Sequence, residues 1–147
     1  MAAVHFPSLE WFKELNRLVT DGDVFRKRGS GQADTRMGVK VGDEVFVVAF
    51  EAYEISEPEQ VAAANLSELD FYLEQSPEEW KAMLVNIKEH GRAEGLFTLN
   101  SLDAIADDGF AKSNADYRDG DARDAFYRFN QTLQDYFDTS AQLDTVF

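Results

Sequence analysis

The stretch Leu69-Asp70-Phe71-Tyr72-Leu73-Glu74-Gln75-Ser76-Pro77-Glu78-Glu79-Trp80-Lys81-Ala82-Met83-Leu84-Val85-Asn86-Ile87 decides the fold, because its hydrophobic period changes at one point. Before Ser76, the apolar residues Leu69, Phe71 and Leu73 alternate with Asp70, Tyr72 and Glu74, the period of a strand with one buried face. After it, Trp80, Met83, Leu84 and Ile87 recur at i, i+3, i+4 and i+7, a single apolar helical stripe. The junction carries its own start signal. The Ser76 hydroxyl is placed to accept from the Glu79 N–H, the Glu79 carboxylate can return to the Ser76 N–H, and Pro77 takes the first helical position, where a missing donor costs nothing. His90-Gly91 supplies the exit, with glycine for the left-handed residue and a basic group near the negative end of the dipole.

Upstream of this junction, Ser8 caps a helix running to about Val19, with Leu9, Phe12, Leu15, Leu18 and Val19 on a broad apolar face and Trp11 at its flank. Asp21-Gly22-Asp23 ends it. Arg26-Lys27-Arg28-Gly29-Ser30-Gly31 has neither the glycine spacing nor the Lys-Ser/Thr ending of a phosphate loop, so a solvated turn is expected. From Gln32 to Tyr53 the period is two. Ala33, Thr35, Met37, Val39 and Val41 form one face of a first strand, Gly42-Asp43 a tight turn, and Val45 to Tyr53 a second strand with apolar residues on both faces, as has an interior strand or one that meets the core on one side and a ligand or partner on the other. The segment from Glu54 to Glu68, with Pro58 and a run of small residues, reads as a short helix or an edge loop.

Downstream, a short helix is expected from Asn100 or Ser101, with Leu102, Ile105 and Ala106 inward and Asp107-Asp108-Gly109 at its end. Phe110 to Arg118 is open between loop and short strand. A long helix follows from about Asp121 to Phe137, with Phe126, Phe129, Leu133 and Phe137 on one stripe and Tyr127 and Tyr136 at its margins. Residues after Asp138 are expected to fray, with Leu143, Val146 and Phe147 the side chains able to dock back.

A chain of 147 residues that is 44% hydrophobic suits one domain, 1–147, with a sizeable core. Its 12 Phe, 5 Tyr and 2 Trp supply large apolar area for a core or a cavity lining. The net charge is −14, and the acid excess lies almost wholly after Tyr53. Such a surface repels phosphate backbones and anionic headgroups, so nucleic acid is not an expected partner. The absence of cysteine excludes disulfides, thiolate metal sites and a cysteine nucleophile. No stretch approaches the roughly 20 apolar residues of a membrane span and no export signal is visible, so a cytoplasmic protein without integral membrane contact is expected.

Chemistry is not declared anywhere. His5 lies near a terminus and His90 at a helix exit, and neither has a nucleophile in a recognisable pattern. Glu78 and Glu79 suit the first turn of a helix electrostatically. Asp116, Asp119 and Asp121 surround Gly120, but with Gly120 as the sixth residue of a calcium loop Ala115 and Tyr117 fall where oxygen ligands belong and Phe126 replaces the terminal glutamate. No cofactor and no metal is therefore expected.

Three short runs together carry a family likeness. Phe71-Tyr72-Leu73-Glu74 leads into Ser76-Pro77-Glu78-Glu79-Trp80, Asn100-Ser101-Leu102-Asp103-Ala104-Ile105 follows, and Gly120-Asp121-Ala122 opens the last helix. Through these runs, and over about Ser8 to Phe137, the chain resembles the sterol carrier protein 2 family, in particular its small bacterial members. The resemblance implies an α+β domain: a mostly antiparallel sheet of about five strands, covered by helices that enclose an apolar tunnel for a sterol, fatty acid or acyl chain. It implies binding or transfer and no catalytic residues. The expected lining comes from Phe46, Val48 and Phe71 on the sheet, Trp80 and Leu84 on the helix after the junction, Phe97, Leu102 and Ile105 beyond it, and Phe126, Phe129 and Leu133 on the last helix.

Two rival uses fit the same pattern. One is a small-molecule enzyme of the NTF2-like kind, with Asp70 or Glu51 and Tyr53 or Tyr72 inside a polar pocket, which requires a buried acid. The other is an interaction domain whose interior is filled and whose exposed aromatic patch forms a homodimer.

Overall fold

A computed structural model describes residues 3–29, 33–62, 69, 71–99, 101–102, 111–112 and 119–147, with backbone alone at 111–112 and 119–127. Strands β2 (Ala33–Val41) and β3 (Glu44–Ala52) form an antiparallel hairpin in full register, Ala33 opposite Ala52 and Val41 opposite Glu44. On the free edge of β3 lie two short antiparallel strands, β4 (Glu54–Ile55) and β5 (Glu59–Val61). On the free edge of β2 lies β6 (Phe71–Gln75), parallel to it, followed by antiparallel β7 (Ala111–Lys112). The sheet is therefore mostly antiparallel and five strands wide, in the order β4-β3-β2-β6-β7 with β5 beside β4. A separate parallel pair, β1 (Val4–His5) with β8 (Thr145–Val146), joins the two ends of the chain.

Helices α1 (Leu9–Gly22), α2 (Val24–Arg28), α3 (Pro77–His90) and α4 (Asp119–Asp138) complete an α+β architecture. Alternation along the strands decides which residues meet them. Met37, Val39, Phe46, Val48, Phe71 and Leu73 point to one side and share a single buried cluster with Trp11, Phe12, Phe25, Trp80, Leu133, Tyr136 and Phe137 from the helices. The opposite side carries a smaller cluster, Val45, Val47, Leu69 and Tyr72, with Val61 packed against it.

The junction forms as its sequence requires. Glu79 N–H donates to Ser76 Oγ at 3.2 Å, Ser76 N–H donates to Glu79 Oε1 at 3.0 Å, and Gly91 ends α3 at φ +81°. Trp80 is then turned inward, where its indole N–H donates to the Lys40 carbonyl at 2.8 Å and ties α3 to β2. At the N-terminal helix, Ser8 Oγ accepts from the Trp11 N–H as expected. The left-handed exit residue is Asp23, at φ 48°, in place of Gly22.

Several expectations give way to longer-range packing. Trp11 is fully buried instead of flanking its helix. The basic run after Val24 is a short helix, not a turn, because Val24 and Phe25 anchor it to the core. Residues 54–55 and 59–61 pair as strands where a helix or loop is expected, since the edge of β3 offers unpaired backbone groups. Leu69 does not share a face with Phe71: β6 begins only at Phe71, and Leu69 lies in the outer cluster with Tyr72. Gly38 makes room for it, because a Cβ there would stand 2.5 Å from Leu69 Cδ1 and 2.9 Å from Tyr72 Cβ. The expected short helix starts one step early: Leu99, Ser101 and Leu102 are helical, and Ser101 N–H donates to Thr98 Oγ1 at 3.3 Å. After Asp138 the chain does not fray but makes a 3-10 turn (Thr139–Gln142), buries Leu143 and pairs as β8. The expected turns at 107–109 and the Asp116 oxygen lie outside the described residues.

Candidate functional site

Six of the expected lining residues meet in the space between sheet and helices. Phe46, Val48 and Phe71 enter it from the sheet, Trp80 and Leu84 from α3, and Leu133 from α4, and all six are buried in the one cluster. Phe97, Leu102 and Phe129 are half-buried and packed against its margin. Ile105 lies outside the described residues, and Phe126 is placed in α4 by its backbone alone.

Among the described residues the interior is packed with rings. Phe12 stacks on Phe46 with centroids 4.9 Å apart, Trp80 faces Phe137 at 5.6 Å, and Phe50 meets Tyr136 edge-on at 5.5 Å. Such offset and edge contacts add roughly 0.5–1.5 kcal/mol per pair to the burial of the rings themselves. Concavities lined by described residues open instead at the surface. One of about 350 Å³ lies between Phe6, Val41, Pro77, Lys81 and Phe147, and one of about 260 Å³ lies between Leu84, Lys88, Ser140 and Phe147. Two more, of about 350 and 300 Å³, flank Thr20 and Ile55 between α1 and the β4 strand. Of the expected lining, Leu84 alone among the described residues borders one of these four.

Polar groups enter the interior along the C-terminal half of α4. The Tyr136 hydroxyl donates to Asn16 Oδ1 at 2.6 Å, and the Asn16 amide donates to the Ser56 carbonyl at 3.3 Å. Burial pushes the Tyr136 phenol well above its usual range, so it remains a donor. Asp138 Oδ1 accepts from the Ala93 N–H and from Gln134 Nε2, each at 2.9 Å. Burial raises the Asp138 carboxyl; those two hydrogen bonds and the Arg28 charge oppose the rise, and Asp135 adds to it. Asp135 is buried as well, and Arg28 Nη1 approaches its Oδ1 at 3.6 Å. These acids escape a reading by periodicity because they sit one and two positions from the Phe137 and Tyr136 stripe. The only signal for them is that α4 is apolar over more than one face near its end.

Among the described residues, those of the enzyme reading do not converge. Glu51 is exposed, Tyr53 stacks under the Arg26 guanidinium at 4.4 Å, and Tyr72 packs in the outer cluster. Asp70 lies outside the described residues. Among the described residues no three His, Asp or Glu side chains are grouped as metal ligands, and no helix is long and apolar enough to cross a membrane.

No family model, curated protein or solved structure matches the chain at a significant level.

Proposed function

We propose that this protein binds an elongated apolar ligand, a sterol, fatty acid or acyl chain, without transforming it, between the sheet and helices α3 and α4. The observation that carries the reading is the composition of that layer: Phe46, Val48 and Phe71 from one side and Trp80, Leu84 and Leu133 from the other form a continuous apolar interior, with Phe97, Leu102 and Phe129 half-exposed at its margin. The likeness of the Ser76–Trp80 junction to the sterol carrier protein 2 family points the same way. Because rings pack the described interior, a ligand enters by replacing ring contacts and parting α3 from α4. At about 25 cal/mol per Å², a ligand burying some 300 Å² gains on the order of 7 kcal/mol before the costs of association. The test is native purification without detergent, solvent extraction and mass spectrometry. A stoichiometric apolar molecule supports the reading, and a clean extract from protein that also fails to bind added lipid refutes it.

A second reading, a filled interior with self-association, is favoured by one observation. The large exposed apolar side chains among the described residues are Leu96, Val146 and Phe147; Val146 belongs to the terminal β1–β8 pair and Phe147 follows it. Sedimentation of the native protein separates the two: a tight dimer with no ligand supports self-association.

A further inference from the structure

The segment between α3 and the helical turn at Leu99 is attached in an unusual way. It is held by three of its backbone N–H groups, each donating to a side chain. Ala93 N–H donates to Asp138 Oδ1 at 2.9 Å, Glu94 N–H to Asn86 Oδ1 at 2.8 Å, and Leu99 N–H to Gln134 Oε1 at 2.8 Å. Asn86 belongs to α3, whereas Gln134 and Asp138 belong to α4. The segment therefore bridges the two helices. Its ends are buried at Ala93 and Leu99, while its middle, the 3-10 turn Gly95–Phe97, leaves Leu96 64% exposed. Gly91 and Gly95 hold φ values of +81° and +62°, so the backbone turns at both sides of Arg92–Glu94 in a conformation that side chains disfavour.

Side-chain acceptors are a weaker tether than a helix or ladder, because each bond is broken by one rotamer change and its N–H can then turn to water. The two tethers on α4 are also linked, since Gln134 Nε2 donates to the same Asp138 oxygen that holds Ala93. Releasing one loosens the other. The two helices that the segment bridges also meet through Trp80 on Phe137, and Ile87 of α3 and Leu133 of α4 are fully buried.

We infer that residues 93–99 form a hinged strap across the α3–α4 seam, and that Asn86, Gln134 and Asp138 are positioning residues that hold it shut over the path by which an apolar ligand reaches the interior. The inference rests on the binding reading above and adds to it the place of access and the side chains that control it. The strap opens when its three amides exchange side-chain acceptors for water, swinging Leu96 and Phe97 outward about Gly91 and Leu99.

The test pairs amide exchange with ligand kinetics, using N-phenyl-1-naphthylamine, a neutral apolar dye that brightens on leaving water. In the unaltered protein the Ala93, Glu94 and Leu99 amides are expected to exchange together, faster than the centre of α3. Asn86→Ala and Gln134→Ala, both on half-buried helix positions that accept alanine, should each speed that exchange roughly tenfold. They should raise the association and dissociation rates of the dye by a similar factor and leave its Kd nearly unchanged, while Asn86→Asp, which keeps the acceptor, restores both. Faster exchange at the three amides with unchanged dye rates overturns the strap and leaves the binding reading standing. An unaltered protein that takes up no dye at all overturns both.

Discussion

Two single residues control more than their size suggests. Gly38 sits opposite Tyr72 in the β2–β6 register, and the missing side chain is what admits Leu69 to the outer face. Gly38→Ala should therefore destabilise the fold by about 1–3 kcal/mol, because Leu69 can rotate away but the Tyr72 Cβ cannot; urea unfolding of the variant measures it. Asp138 acts through its charge. Burial raises its carboxyl above the ordinary value of 3.8, so the folded state binds its proton more tightly than the unfolded chain does. The stability this group contributes is fully present below that ordinary value and is lost as pH rises through the raised one. Asp138→Asn keeps an oxygen acceptor for the Ala93 N–H without the charge. Its unfolding midpoint should fall less than that of the parent between pH 4 and pH 7, and parallel curves for the two proteins would count against the assignment. The parity of Leu69 and the burial of Asp138 are both illegible in sequence for one reason: each is decided by a residue far along the chain, Gly38 or Ala93, that periodicity does not connect to it.

At the scale of elements, local chemistry and long-range packing divide the work. The Ser76–Glu79 capping box, Pro77 and Gly91 are read directly from sequence, because every interaction that defines them spans no more than four residues. Ser76→Ala should cost about 1 kcal/mol and lower thermal stability without changing the helix content of the folded protein by circular dichroism. The β2–β3 hairpin is legible on the same grounds, since Gly42-Asp43 sets its register. By contrast, β4 and β5 are too short to show a period and exist because β3 offers an edge. The C-terminal segment is the clearest case of this second kind. Nothing local in Ala141 to Phe147 demands order, yet Val4 N–H donates to the Asp144 carbonyl at 2.8 Å and Trp11 Nε1 to Thr145 Oγ1 at 3.0 Å, while Leu143 is fully buried. Leu143→Ala should cost about 3 kcal/mol, as a core truncation and not as a change in a loose tail. A loss below about 0.5 kcal/mol would mean that this end is not docked in solution.

Across the whole molecule, the sheet separates two unlike faces. Helices α1, α3 and α4 bring their rings to one, and a small aliphatic cluster with Tyr72 occupies the other. Alternation groups Phe46 with Val48 and Phe71 with Leu73, and the helical stripe groups Trp80 with Leu84, but apolar residues on both sides of β3 leave open which side meets the helices. How closely those residues pack is not legible in the sequence either, because packing is a property of Phe12 on Phe46 and Trp80 on Phe137, pairs separated by tens of residues. Function in the proposed reading depends on that difference between the faces: the ring-lined layer yields to an apolar guest and the aliphatic one does not. Methyl NMR during titration with a long-chain fatty acid or sterol tests this most directly. The expected result is saturable shifts at Val48, Leu84 and Leu133, with Val45 and Val47 on the outer face unmoved. Shifts confined to Leu96 and Val146, or no saturable shift at all, would contradict an interior binding site.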